Sequence, residues 1–71
     1  MNTRRHTKFV REGKYAAEVD VDLVEEGNGW SPYISLDDAR KLDEVREALR
    51  RGDIEAAVRR SRVFSLTPVS L

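Results

Sequence analysis

Cysteine is absent from the sequence, and histidine occurs once in its 71 residues. A disulfide framework is therefore excluded, and so is a zinc site built from the usual Cys and His ligands. A domain of this size buries only roughly 60% of the surface that its unfolded chain exposes, and small domains commonly gain stability from a disulfide, a metal or a partner. We therefore expect a partner chain, of which a second copy in a homodimer is the simplest.

Long apolar runs are also absent. No stretch approaches the ~20 apolar residues that a transmembrane helix needs, so we expect no contact with a membrane. The basic start of the chain is not followed by an apolar segment, which argues against a signal peptide. Together with the lack of cysteine, this predicts a cytoplasmic protein made of one small domain, residues 1–71, with residues 1–6 disordered.

Net charge is zero, but the charges are segregated along the chain. Residues 1–14 carry an excess of four positive charges, residues 15–38 an excess of seven negative charges, and residues 39–71 an excess of three positive charges. Such segregation affects how a protein meets its partners more than how it folds.

In residues 15–23 every second side chain is apolar, and the side chains between them are acidic except for Ala16. Period two predicts a half-buried strand whose outer side carries Glu18, Asp20 and Asp22. Residues 7–11 form a shorter strand candidate. A three-residue turn over residues 12–14 would set Phe9 opposite Ala17 on the apolar side.

The Asn28-Gly29 pair predicts a second hairpin turn, because both residues tolerate positive φ. A two-residue turn there pairs Val24 with Tyr33 and Leu23 with Ile34. The third strand would then cover residues 30–34.

Two helices are predicted next. Ser35 is the expected N-cap of the first, and Gly52 ends it; Asp53 caps a shorter second helix. Helical spacing defines the apolar stripe of the first helix as Leu36, Ala39, Leu42, Val45, Ala48 and Leu49. In the second helix, Ile54, Ala57 and Val58 are expected to face inward.

The uncharged end, residues 63–71, predicts a last strand with Phe64 and Leu66 towards the helices. The expected fold is α+β, a small antiparallel sheet in the order β-β-β-α-α-β with two helices packed on one face.

Three groups of residues are candidates for function. The acidic side chains Glu18, Asp20 and Asp22 are more typical of a solvated face than of a metal or catalytic site. Trp30 and Tyr33 could stack on a ligand, but covering the open end of a small sheet is the better explanation of both. No nucleophile, metal site or cofactor motif is recognisable, so we expect no catalytic residue and no cofactor, and the protein is not expected to be an enzyme.

The second half of the chain is rich in arginine. These residues offer an alternative, nucleic-acid-binding surface, which the sequence pI of 6.6 argues against. They are Arg46, Arg50, Arg51, Arg59, Arg60 and Arg62.

Residues 14–19 read Lys14-Tyr15-Ala16-Ala17-Glu18-Val19. A glycine turn follows, and then a helix that opens with Leu36-Asp37-Asp38-Ala39. This arrangement resembles the N-terminal half of HicB-type antitoxins. The resemblance covers roughly residues 14–50. The family's Pro-Asp-Leu-Pro-Gly segment is replaced by residues 31–35, and its DNA-binding domain is missing. The chain is also similar to small bacterial proteins of unassigned function. The resemblance implies only a small sheet-and-helix module that binds and masks a basic protein partner, typically a ribonuclease toxin. From the residues themselves, we expect the partner to meet the acidic strand face of Glu18, Asp20 and Asp22, with Trp30 and Tyr33.

Overall fold

A long β-hairpin organises the protein. In the computed structural model, which describes residues 2–27 and 31–70, strand β1 (Asn2–Glu12) pairs antiparallel with strand β2 (Tyr15–Glu25) over its whole length. Two short strands, β3 (Tyr33–Ile34) and β4 (Arg62–Ser65), pair with the other side of β2. The chain between them forms helices α1 (Leu36–Arg51) and α2 (Ile54–Val58). The α+β class and the element order β-β-β-α-α-β are confirmed.

One hydrophobic core lies between the sheet and the two helices. The sheet contributes every second residue of β2, as the apolar alternation predicts, and one residue of β1; the helices contribute one side of α1 and one residue of α2. The core side chains are Val10, Ala17, Val19, Val21, Val45, Ala48, Leu49 and Ala57. Most of these side chains are small, so the core is thin.

The register of the first hairpin differs from the predicted one by one residue. Glu12 pairs with Tyr15, and the turn contains only Gly13 and Lys14. Gly13 has a φ of 60°, which fits a type II′ turn, whose first central position calls for glycine. The prediction of a three-residue turn was therefore wrong, and Phe9 faces away from the core while its neighbour Val10 is buried.

Residues 2–6 belong to β1, which corrects the expectation that residues 1–6 are disordered. Beyond the backbone pairing with β2, ion pairs hold this part of the strand. The side chain of Arg4 lies 2.9 Å from Glu25, and that of Arg5 lies 3.3 Å from Asp22.

The second hairpin has the predicted register, with Val24 opposite Tyr33 and Leu23 opposite Ile34. Its third strand is shorter than predicted, since β3 contains two residues rather than five. Pro32 explains part of the difference, because proline has no N–H for the ladder. The predicted Asn28-Gly29 turn and Trp30 lie outside the described residues.

Both helices begin where the sequence predicts, and α1 also ends there. The Ser35 side chain accepts a hydrogen bond from the Asp38 N–H, and Gly52 ends α1 with a φ of 76°. Asp53 caps α2 through the N–H of Ala56. Two predictions about their inward faces were wrong: Leu36 is 67% exposed and Val58 is 55% exposed. Leu36 is the first residue of α1 and Val58 is the last residue of α2.

The last strand is shifted relative to the prediction. β4 begins at Arg62 and ends at Ser65, so Val63 opposes Ala17 on the inner side and Phe64 opposes Ala16 on the outer side. The prediction that Phe64 and Leu66 face the helices was wrong, and both are exposed. Two contacts accompany this parity: Val63 packs against the core on the inner side, and Arg62 pairs with Glu18 and Asp20 on the outer side.

Candidate interaction surface

The sheet has a second face that the helices do not cover. We call it the outer face; strand alternation assigns to it the residues of each strand that do not point to the core. Its members are Thr3, Arg5, Thr7, Phe9 and Arg11 from β1; Ala16, Glu18, Asp20, Asp22 and Val24 from β2; Tyr33 from β3; and Arg62 and Phe64 from β4. All three predicted acidic residues therefore lie side by side, as the sequence indicated.

Asp20 is the centre of an ion-pair network on the outer face. The Arg62 guanidinium donates to both of its carboxylate oxygens, at 2.9 and 3.1 Å, and the Thr7 hydroxyl donates from the other strand at 3.1 Å. Arg62 also donates to Glu18 at 3.1 Å. Arg62 thus joins β4 to two rungs of β2 through a bidentate contact, the strongest geometry for an arginine–carboxylate pair.

These contacts lower the pKa of Asp20. The hydrogen bond from Arg62 is the largest cause, followed by that from Thr7, and together they hold the Asp20 pKa at about 2 instead of 3.8. The same hydrogen bond to Asp20, with that to Glu18, raises the pKa of Arg62 above its ordinary value. Both groups therefore stay charged at any physiological pH.

The outer face as a whole is not acidic. The negative charges of Glu18, Asp20 and Asp22 are matched in number by Arg5, Arg11 and Arg62 on the same face. A basic partner would have to displace Arg5 and Arg62 from the carboxylates before it could pair with them. Docking of a basic protein on this strand remains a prediction. In the structure, Arg5 and Arg62 already pair with the carboxylates and would compete with such a partner.

Apolar side chains occupy one end of the outer face. Ala16 is only 2% exposed although it faces away from the helices, since Phe64 and Arg11 flank it on the two neighbouring strands. Phe9, one rung further along, is 69% exposed, and Phe64 is 46% exposed. The sequence predicted both phenylalanines on the inner side of the sheet, whereas a two-residue turn with Gly13 in its first central position places Phe9 on the outer face.

Tyr33 lies at the opposite end of the outer face, opposite Val24. Its hydroxyl donates a 2.8 Å hydrogen bond to Glu26, which raises the pKa of Tyr33. Tyr33 is 47% exposed and therefore accessible to a partner. Trp30, predicted to act with it, lies outside the described residues.

The six arginines of the alternative prediction do not form one surface. Arg62 is on the outer face, whereas the others are on or next to the helices. Most have carboxylate neighbours: Arg46 with Asp43, Arg50 with Glu47 and Glu12, Arg51 with Asp53, and Arg60 with Glu44. Arg59 has none in the part of the chain that the structure describes. A continuous basic groove for a phosphate backbone is not formed by this set.

The most basic exposed element is instead β1. Its residues include Arg4, Arg5, Lys8 and Arg11 against a single acid, Glu12. All of β1 from Asn2 to Phe9 is exposed, and in the described structure it pairs with β2 alone, so its second edge is open.

Comparison with known proteins gives this surface no assigned role. No protein-family model matches the chain, and no curated protein or solved structure is significantly similar to it. Among the described residues, no helix is long and apolar enough to cross a membrane, and no three His, Cys, Asp or Glu side chains are grouped as metal ligands would be.

Proposed function

We propose that this protein is a small protein-interaction module that binds its partner through the outer face of the sheet. The observation that carries the proposal is the pair of exposed phenylalanines, Phe9 and Phe64, on a sheet face without a covering layer. Exposed aromatic side chains on an otherwise polar surface are typical of interaction hot spots. A partner would cover the apolar end and leave the ion-pair network around Asp20 as a polar rim.

The shape of the molecule supports the proposal. Its solvent-accessible surface is 5398 Å², roughly 900 Å² more than the ~4500 Å² that the scaling law gives for a monomer of 8.1 kDa. Its radius of gyration is 14.4 Å, against about 11 Å for a compact chain of this length. A standard interface buries about 800 Å² of each partner, so one interface would remove the excess.

The antitoxin-like role implied by the HicB resemblance fits this mode of action, because it requires only that a small sheet module covers another protein. In this proposal the partner is a protein, and the module carries no catalytic residues of its own. A cytoplasmic location is part of the proposal. If the partner is a second copy of the chain, the two copies form a homodimer through their outer faces.

The test compares two pairs of substitutions of matched exposure. Phe9→Ser with Phe64→Ser alters the outer face, and Leu36→Ser with Val58→Ser alters equally exposed positions on the helices. Each variant, fused to an affinity tag, is incubated with lysate of the native cell, cross-linked and analysed by mass spectrometry. Sedimentation of the purified proteins at micromolar concentration reports self-association.

We expect the helix variant to retain the wild-type partner, or the wild-type dimer, and the phenylalanine variant to lose it. Equal recovery by both variants would show that the outer face is not the docking surface. Circular dichroism confirms that both variants are folded before they are compared.

A further inference from the structure

The open edge of β1 is a second interaction feature, and it differs from the outer face in both charge and chemistry. Every second residue of an edge strand directs its N–H and C=O groups away from the sheet, where they meet only water. β1 contains 11 residues and pairs only with β2 in the described structure. A segment long enough to hold a whole additional strand is therefore exposed.

The charged side chains of β1 determine which kind of segment can pair with its open edge. Lys8 faces the helix side and Arg11 the outer side, and neither has a carboxylate within ion-pair distance among the described residues. Arg4 and Arg5 add positive charge further along the strand; Arg4 has one acidic neighbour on β2, Glu25, and Arg5 has two, Asp20 and Asp22. A strand laid beside β1 would thus meet positive charge on both of its faces.

We propose that β1 accepts an acidic, extended segment of a partner protein as an additional antiparallel strand of the sheet. The proposal rests on the function proposed above, since the same partner would cover the outer face and continue the sheet. Backbone hydrogen bonds would supply affinity that does not depend on sequence, while Glu or Asp residues opposite Lys8 and Arg11 would supply selectivity.

Two other occupants fit the edge less well. A second copy of β1 would bring two strands of the same positive charge together along the seam, an arrangement that edge lysines and arginines normally prevent. A nucleic acid would satisfy the positive side chains and the exposed N–H groups. Its phosphates have no donors for the exposed C=O groups, however, so half of the edge would stay unpaired.

The test uses a synthetic acidic peptide of seven to nine residues that repeats the sequence Thr-Glu-Val. A matched peptide carries Gln in place of Glu, and a third has alternate backbone amides methylated so that it cannot extend a ladder. Each is titrated to millimolar concentration against the full-length protein labelled with nitrogen-15, and amide chemical shifts report the site and the affinity.

We expect the acidic peptide to shift the β1 amides saturably and to bind more tightly than the Gln peptide, while the methylated peptide does not bind. The double variant Lys8→Glu with Arg11→Glu should weaken binding by about tenfold, because two attractive cross-strand pairs become repulsive. The control variant Arg40→Glu with Arg59→Glu changes the charge of the protein equally, away from β1, and should bind as the wild type does.

Several outcomes would overturn the proposal. They are the absence of β1 shifts at millimolar peptide, equal binding of the acidic and Gln peptides, a concentration-dependent dimer held by β1, and an oligonucleotide that binds β1 while the acidic peptide does not. If the peptide fails but the phenylalanine variant still loses its partner, only the strand addition is wrong. If the peptide binds at β1 but the phenylalanine variant still recovers the partner, the proposed outer-face interface is wrong and the strand addition at β1 still holds.

Discussion

Asp20 shows how one residue connects three strands. It sits on β2 and receives hydrogen bonds from Thr7 on β1 and from Arg62 on β4. The pKa of its carboxyl group is held at about 2, below the ordinary 3.8, and the main cause is the hydrogen bond from Arg62. Between these two values the unfolded chain binds more protons than the folded one, so stability rises with pH there. The contribution of Asp20 is complete above about pH 4 and is lost as the pH falls towards 2.

Replacing Asp20 by Asn should remove this acid sensitivity. We expect the wild type to lose more stability between pH 5 and pH 2.5 than the Asp20→Asn variant, which should be the less stable of the two at pH 5. Urea unfolding followed by circular dichroism at both pH values measures the difference. Asp43→Asn, an exposed change on α1, should behave as the wild type does. An equal loss in wild type and Asp20→Asn would mean that the network does not stabilise the fold.

At the scale of elements, the start of α1 is tied directly to the central strand. β3 and β4 leave the middle of β2 unpaired on their side, and the Asp38 carboxylate accepts a 2.7 Å hydrogen bond from the backbone N–H of Asp22 there. The N–H of Asp38 in turn donates to the Ser35 side chain. Asp38 thus positions α1 on the sheet while it also complements the positive end of the helix.

Asp38→Ala should therefore destabilise the protein by about 1–3 kcal/mol, since it leaves a strand N–H without its acceptor. Asp37→Ala is the matched control, because it removes an acidic side chain from the same helical turn. Chemical denaturation of both variants measures the difference. A loss no larger than that of Asp37→Ala would show that the contact with Asp22 contributes nothing.

The end of α1 gives a second prediction at this scale. Gly52 has a φ of 76°, and a Cβ added there would meet nothing within 4 Å. A side chain at this position therefore costs free energy only through the left-handed backbone conformation. Gly52→Ala should destabilise by about 1–2 kcal/mol. Gly52→Asn should cost less, because Asn tolerates this conformation. Thermal unfolding of the two variants provides the comparison, and equal losses would contradict the explanation.

The elements and the inward face of β2 were largely predictable from the sequence, whereas the parity of β1 and β4 was not. Ser35, Gly52 and Asp53 determine the helix ends through local chemistry, and these predictions were confirmed. The side that Phe9 and Phe64 face depends on a shift of one residue in a turn or a strand start, which reverses every side chain. The neutral charge of the outer face depends on Arg62, which is distant in sequence from Glu18 and Asp20 and becomes their neighbour only when β4 joins the sheet.

At the scale of the whole molecule, stability depends on a few apolar side chains. Domains of this length have a free energy of unfolding of roughly 4–11 kcal/mol. Leu49 is 4% exposed and packs in the core, whereas Leu36, in the same sequence stripe, is 67% exposed. We expect Leu49→Ala to cost about 2–5 kcal/mol, a large share of the total, and Leu36→Ala to cost less than about 0.5 kcal/mol. Urea unfolding distinguishes them; similar costs would contradict the position of the core.

The helices pack along β2 and leave most of β1 uncovered, which has a consequence for the way the molecule opens. Val10 is the only buried residue of β1 in the described structure, and residues 2–9 lie outside the core. This arm can separate from β2 without disturbing the packed layer, so its opening free energy is lower than that of global unfolding. Native-state hydrogen exchange should therefore show β1 amides that exchange faster with distance from Val10, while the β2 amides facing β4 exchange only by global unfolding. A partner strand bound at the edge would abolish the gradient, because the arm could then open only after the partner had left.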